Sequence, residues 1–304
     1  MNISTTFQTI NSTTENQENS QSCLTYKKTQ LRADCSSCFG LCCVALYFST
    51  LDGFPTDKKV GVPCPNLQND NKCRVHSELS ELGYKGCLAF DCFGAGQKVS
   101  QLTYKGLDWR VDLETANEMF DVFQVMRQLH ELLWYLSDAL SLPSTLLFHH
   151  ELSLLIEETE KLTRGRPEKI LKIDLTLQRN KVNEMLLNVS QLVRSETRKG
   201  VPSHFETSIK SGKRMNLMAR DLRNKDLRGA DLRGACLIAA DLRGNDLSGT
   251  DVIGADFRDT AISGTDLVDC LFLTQAQVNA ATGNDATKIP TSLERPKHWS
   301  FLSK

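Results

Sequence analysis

Every fifth residue between Leu217 and Phe272 is apolar: Leu217, Leu222, Leu227, Leu232, Leu237, Leu242, Leu247, Val252, Phe257, Ile262, Leu267 and Phe272. Hydrophobic residues make up 40% of the chain, so twelve in a row at one fixed spacing arise by chance with a probability of about 2 in 10^5. A period of five matches neither the turn of about 3.6 residues in a helix nor the alternation of a strand. To keep every fifth residue inside, the chain must turn a corner once in each repeat.

Units such as ADLRG at 230–234 and 240–244, and NDLSG at 245–249, resemble those of the pentapeptide-repeat family. The resemblance implies a short right-handed quadrilateral β-helix, a β-solenoid with four repeats per coil. In that geometry the central Leu or Phe and the small residue two places earlier point inward. Ala230, Ala235, Ala240, Ala255 and Cys270 match this second row, whereas Arg220 and Lys225 depart from it. Neither charge can enter an apolar bore, so the first coil is expected to be an open rim. Twelve repeats make three coils, a stub only about 15 Å tall at the spacing of stacked strands. Its two apolar ends need caps, for which the preceding helices and the segment from Gln275 to Trp299 are available.

The residue after each central one should face solvent, yet Ile238, Ile253, Val268 and Leu273 are apolar. Residues twenty apart lie one above another in a four-repeat coil, so Ile253 and Leu273 form a vertical strip beneath Arg233. A contiguous apolar strip commonly marks an interface, so a helix from residues 109–199, or a second copy of the chain in a homodimer, is expected to cover it. The alternative is scattered surface hydrophobes that need no partner. Family members that confer quinolone resistance mimic double-stranded DNA and bind gyrase. Between Met215 and Thr274 this sequence sets ten Asp against six Arg and one Lys, with Arg223, Arg228, Arg233 and Arg243 close to the Asp row. Mixed charge on three coils argues against DNA mimicry. The resemblance also implies a link to antibiotic resistance, since some such proteins carry resistance names, but no mechanism.

Eight of the eleven cysteines fall between Cys35 and Cys92, as Cys35-x2-Cys38-x3-Cys42-Cys43, Cys64, Cys73 and Cys87-x4-Cys92. Thiolates two or three residues apart can converge on one soft ion, and zinc and iron–sulfur clusters both take four. Disulfides and buried unligated thiols are the alternatives. Adjacent Cys42 and Cys43 are expected to diverge if the segment is extended, which points to two sites or a multinuclear one. The arrangement resembles the CxxCxxCC family of presumed zinc- or iron-chelating domains: CPNL at Cys64, CRVH at Cys73 and CLAFDC at Cys87–Cys92 match its later elements. Three residues rather than two precede the Cys pair. The resemblance implies that Cys35, Cys38, Cys42, Cys43, Cys64, Cys73, Cys87 and Cys92 bind zinc or iron, with an iron–sulfur cluster among the options. His76 is read as a surface residue, Cys23 as part of the tail, Cys236 as facing outward, and GAGQK at Gly94 as no phosphate loop.

These features divide the chain into five parts: a disordered tail (1–30), a cysteine-rich metal-binding domain (31–108), a helical region (109–200), the repeats (215–274) and a C-terminal cap and tail (275–304). The tail is too polar to fold, and its sequons at Asn2 and Asn11 are read as chance matches. Apolar residues from Met119 to Leu140 recur at helical spacing, with a capping-box pattern at Thr115 and Glu118 and a stop at Pro143. A second helix is expected over 144–163 and a third from Pro167 to Lys199, ended by Gly200 and Pro202. They form a hairpin or small bundle whose Met and Phe stripes are core. His130, His149 and His150 are solvated or core residues.

Lys plus Arg (36) balance Asp plus Glu (37), so no global field draws the chain to nucleic acid or to an anionic membrane. There is no run of about 20 apolar residues, and no signal-peptide core near Met1. The expectation is a cytoplasmic, non-enzymatic protein that binds another protein and carries a structural metal. The alternative is an iron–sulfur or metal-dependent redox or group-transfer enzyme. No catalytic residue can be assigned from spacing.

Overall fold

The computed structural model describes residues 28–199 and 215–302. The expectations for Cys23, the two sequons and the Gly200–Pro202 stop lie outside these residues, as does most of the expected tail. Lys28–Gln30, assigned to that tail from sequence, form a helical turn in which Lys28 pairs with Asp138 at 2.8 Å.

Among the described residues, short helices of one turn or little more alternate with three long ones: α1 (Leu41–Ala45), α2 (Lys85–Leu88), α3 (Ala95–Lys98), α4 (Leu113–Ser141), α5 (His149–Leu162), α6 (Pro167–Ile170), α7 (Leu175–Thr197) and α8 (Gln275–Ala280), with α4, α5 and α7 the long members. Helix α4 is the spine, 29 residues and therefore about 43 Å long. Asp112 caps it by accepting from Thr115 N at 2.9 Å. The expected Thr115–Glu118 box does not form, because the Asp112 carboxylate takes the free N–H three residues earlier and Glu118 accepts instead from Tyr104 Oη at 2.9 Å. The Met and Phe stripe is core: Met119, Phe123, Met126, Leu129 and Leu136 are fully buried. Pro143 follows the end of α4 and opens a 3-10 stretch to Phe148, so α5 starts later than the spacing suggests. The single third helix is split in two, since Asp174 caps a new start by accepting from Leu177 N.

The repeats pair with themselves at a distance of twenty residues. Parallel bridges join Asn216 to Cys236 and on to Asp256, Asp221 to Asp241 and on to Ala261, Asp231 to Asp251 and on to Leu271, and Asp246 to Asp266. Each is an isolated single-residue bridge, and among the described residues the repeats contain no continuous β-strand. A corner every five residues leaves each wall about two extended residues, too few for a strand to lengthen. The corners are turns, as where Ala240 N donates to Leu237 O at 2.9 Å. Central residues from Leu222 to Phe272 are buried, and Arg220 and Lys225 are exposed at the rim. Sequence reasoning missed the polar share of the second inward row. Thr250, Thr260 and Thr265 are buried there and donate to the carbonyls of Leu227, Leu237 and Leu242 at 2.6–2.8 Å. A hydroxyl is tolerated inside because the carbonyl one coil below accepts from it.

The C-terminal segment carries the pairing one step further, with bridges from Ala261 to Thr282 and from Asp266 to Lys288. A capping box of Thr274 and Gln277 starts α8, and Gln277 Nε2 donates to Val252 O and Ala255 O, closing that end of the stack. Trp299 is fully buried and donates to Ala281 O at 2.9 Å. The C-terminal half of α4 docks beside the last repeats: Trp134 Nε1 donates to Leu273 O, and the rings of Tyr135 and Phe272 meet edge to face. The end of α7 lies along a column of glycine corners. A Cβ on Gly249 would stand 2.2 Å from Thr197 Oγ1, and one on Gly229 2.9 Å from Arg194 O. Leu273 is buried and Ile253 half-buried against the same core, so the helices provide the cover that the apolar strip required.

Candidate functional site

The cysteines stand on loops and single turns around the first half of α4. Asp34 caps a 3-10 turn that carries Cys35, and Gly40 leads into α1, which carries Cys42 and Cys43. Gly40 has φ 68°, and a Cβ there would lie 2.5 Å from Leu67 Cδ1, so this entry to the helix requires glycine. Cys42 and Cys43 do not diverge as expected for an extended segment. On a helical turn successive side chains are only about 100° apart, and the two sulfurs approach to 4.0 Å. Cys64 N donates to Cys43 O at 2.9 Å, which ties the CPNL segment to α1. Cys73 pairs with Leu67 across an isolated antiparallel bridge. Cys38 and Cys92 both hang over Gly96, where a Cβ would meet their sulfurs at 2.7 and 3.9 Å. Helix α2 carries Cys87.

Cys42 is the electrostatic hub of the group, within reach of Cys35, Cys38, Cys73, Cys87 and Cys92. Burial pushes the thiols of Cys87 and Cys92 up to about 12, and neighbouring thiols add to the shift. The Cys42 thiol is also pushed well above its ordinary value, first by its contact with Cys43 and then by burial. Without a cation such thiols stay protonated. The nearby Lys58 is committed to the backbone, donating to the carbonyls of Val44, Leu46, Lys59 and Val62. The cysteines among the described residues are free thiols. No three Cys, His, Asp or Glu side chains among those residues stand in a ready-made ligand array. The set therefore fits a soft ion in donor chemistry and in mutual reach, but its sulfurs must close together to ligate one. His76 is exposed, as the sequence suggested.

On the repeat walls each Asp of an Asp-x-Arg unit binds its own Arg: Arg223 to Asp221, Arg228 to Asp226, Arg233 to Asp231, Arg243 to Asp241 and Arg258 to Asp256, at 2.6–2.9 Å. These five carboxylates are neutralised bond by bond. Three units carry no Arg: Asp246 accepts from Ser248, Asp266 pairs with Lys288, and Asp251, followed by Ile253, is covered by α7. Asp251 is fully buried, with Arg233 Nε 3.6 Å from Oδ2 and no hydrogen-bond partner on that oxygen. Burial pushes its pKa up to about 6. It lines a cavity of about 320 Å³ between α4, α7 and the stack, together with Tyr135, Arg179 and Phe272. The sequence places Asp251 in the outward row like its neighbours, and only the docked helix distinguishes it.

Eight copies of the pentapeptide-repeat pattern match residues 216–249 and 235–272. Over 269 residues the chain is 54% identical to the uncharacterized protein YybG of Bacillus subtilis (strain 168), an alignment covering 88% of this chain and 95% of that protein. No solved structure matches the chain. Among the described residues no helix is long and apolar enough to cross a membrane.

Proposed function

We propose, for a chain that belongs to the same family as the uncharacterized protein YybG of Bacillus subtilis and carries pentapeptide repeats, a non-catalytic function in binding another protein. The observation that carries this reading is the filled interior of the repeats. Every central residue from Leu222 to Phe272 is buried, so the stack offers no internal space and can act only through its outer walls. Pairing at a distance of twenty residues supports a right-handed quadrilateral β-helix of four repeats per coil, a β-solenoid. The Asp–Arg pairs support a protein partner over mimicry of a gyrase substrate, because a neutralised wall lacks the field of a phosphate backbone. Helices α4 and α7 beside the apolar strip support cover from within the chain over a second copy.

The eight clustered cysteines, Cys35, Cys38, Cys42, Cys43, Cys64, Cys73, Cys87 and Cys92, would hold a structural zinc or iron. When bound, the ion supplies the positive charge that lets the thiols ionise, and it cross-links segments that have few strands or helices of their own. Free thiols in this number suit a reducing, cytoplasmic compartment. Iron–sulfur redox or group-transfer chemistry is the second reading, favoured by the mutual electrostatic reach of the thiols around Cys42. Elemental analysis and a visible spectrum of the full chain, purified anaerobically without chelator, decide among these. At least one equivalent of zinc in a colourless protein is the expected result. Absorption near 400 nm, at about the range of iron–sulfur centres, would favour the redox reading, and less than one equivalent of either metal would remove the metal from both.

A further inference from the structure

A cavity of about 350 Å³ lies between the Asp34 segment, α3 and the π-helical turn Val99–Thr103 on one side and α4 and α5 on the other. His130 of α4 and Lys98 of α3 both line it, and both are committed in ways that leave a specific vacancy. His130 is 2% exposed, and its Nδ1 lies 2.7 Å from Phe93 O. A carbonyl only accepts, so Nδ1 carries the proton and Nε2 presents a lone pair. That Nε2 is buried and has no hydrogen-bond partner. Burial, reinforced by the Lys98 charge, pushes the imidazole pKa down to about 3, which keeps the ring a neutral acceptor at physiological pH.

Lys98 donates to Thr163 Oγ1 at 2.6 Å, and no ion pair holds its ammonium among the described residues. The two carboxylates lining the cavity form no ion pair with Lys98, although the Glu160 charge reaches it. Asp34 accepts from Ser36 and Ser37, and Glu160 pairs with Arg164 at 2.9 Å. What the cavity lacks is an anion in direct contact with Lys98 and a hydrogen-bond donor beside His130. A cationic donor is disfavoured because the Lys98 charge already bears on the imidazole, whereas a neutral hydroxyl meets no such repulsion.

We propose that this cavity binds a small hydroxycarboxylate, with its carboxylate against Lys98 and its hydroxyl donating to Nε2 of His130. The site borders the clustered cysteines through the Asp34 segment and α3, but none of the eight cysteines lines it, and its test does not depend on which metal they hold. The cost of leaving a buried acceptor bare is what gives the hydroxyl its selectivity.

The test uses the full chain and long-range proton–nitrogen spectra of the imidazoles, with L-lactate, propionate and inorganic phosphate as millimolar probes. L-lactate is expected to move the His130 Nε2 resonance toward lower frequency. Propionate, which lacks the hydroxyl, should leave that resonance in place and bind at least about tenfold more weakly. Lys98→Met should abolish the lactate response, while His130→Phe should make lactate and propionate bind alike. An Nε2 resonance unmoved by lactate overturns the proposal, as does unchanged lactate binding in Lys98→Met. A response to phosphate equal to that of lactate would reduce the site to a simple anion hole and overturn the hydroxyl assignment. Should His130→Phe fail to fold, the wild-type spectra and Lys98→Met still decide.

Discussion

Helix α4 touches both halves of the molecule, and the two halves are built in opposite ways. Its first half, with Met119, Phe120, Phe123 and Met126, packs on α1 and α3 in a small core that also receives Cys38, Cys42 and Cys92 at its edge. Its second half, with Leu133, Trp134 and Leu136, joins a core that runs through the repeats to Trp299. In the repeats each buried side chain meets others one coil away, and each wall repeats the same backbone bonds. In the cysteine-rich region the contacts join segments far apart in sequence, and α1, α2 and α3 are single turns. A structure made of identical short-range steps is redundant, whereas one made of unlike long-range contacts depends on each of them. The first draws its stability from burial; the second has eight free thiols where a cross-link would serve.

The largest effect that would sharpen this contrast comes from the bore. Leu242 is fully buried between neighbouring coils, and Leu242→Ala should destabilise the full chain by about 3 kcal/mol, within the usual range for a core leucine. Denaturant unfolding measures it. A loss below about 1 kcal/mol would mean that the coils rearrange to fill the gap, and that the bore is not the source of stability.

A somewhat smaller effect should appear where the helices join the stack. The folded pKa of Asp251, about 6, lies above its ordinary value of 3.8. Between those values the folded chain holds more protons than the unfolded one, so stability falls as pH rises through that window. Roughly two units of difference set a ceiling of about 3 kcal/mol, from which the attraction of Arg233 is already drawn. Asp251→Asn should remove this part of the slope, and the difference between the variant and the wild type from pH 4 to pH 7 isolates it from other groups. Parallel stability profiles would show that Asp251 is charged and accommodated, and that the joint is looser than its burial implies.

The smallest effect is expected on the open wall. Arg243 is exposed and binds Asp241 at 2.6 Å, a solvent-screened pair of the kind that contributes little. Arg243→Ala should leave the melting midpoint unchanged within error. A clear fall would mean that the Asp–Arg rows stabilise the stack rather than merely neutralise its surface, and would narrow the contrast between wall and bore.

Much of the repeat region was legible because its physics is periodic. The inward row from Leu222 to Phe272, the exposed Arg220 and Lys225 and the need to cover Ile253 and Leu273 all follow from a spacing of five and the exclusion of charge from an apolar interior. The spacing could not show that α4 and α7 provide that cover, or that α7 would bury Asp251 completely while leaving Asp241 half-exposed. Both facts depend on a docking contact between segments far apart in the chain. The cysteines were visible as a group, and their common neighbourhood around Cys42 is consistent with that. Their local geometry was not visible, since the Cys42–Cys43 approach depends on α1 being helical rather than extended. His130 and Lys98 carried no signal at all, because neither their spacing nor their type is unusual. Sequence determined what repeats or what is chemically costly to bury; tertiary structure decided which ordinary side chains meet, since burial, unlike periodicity, belongs to the whole fold.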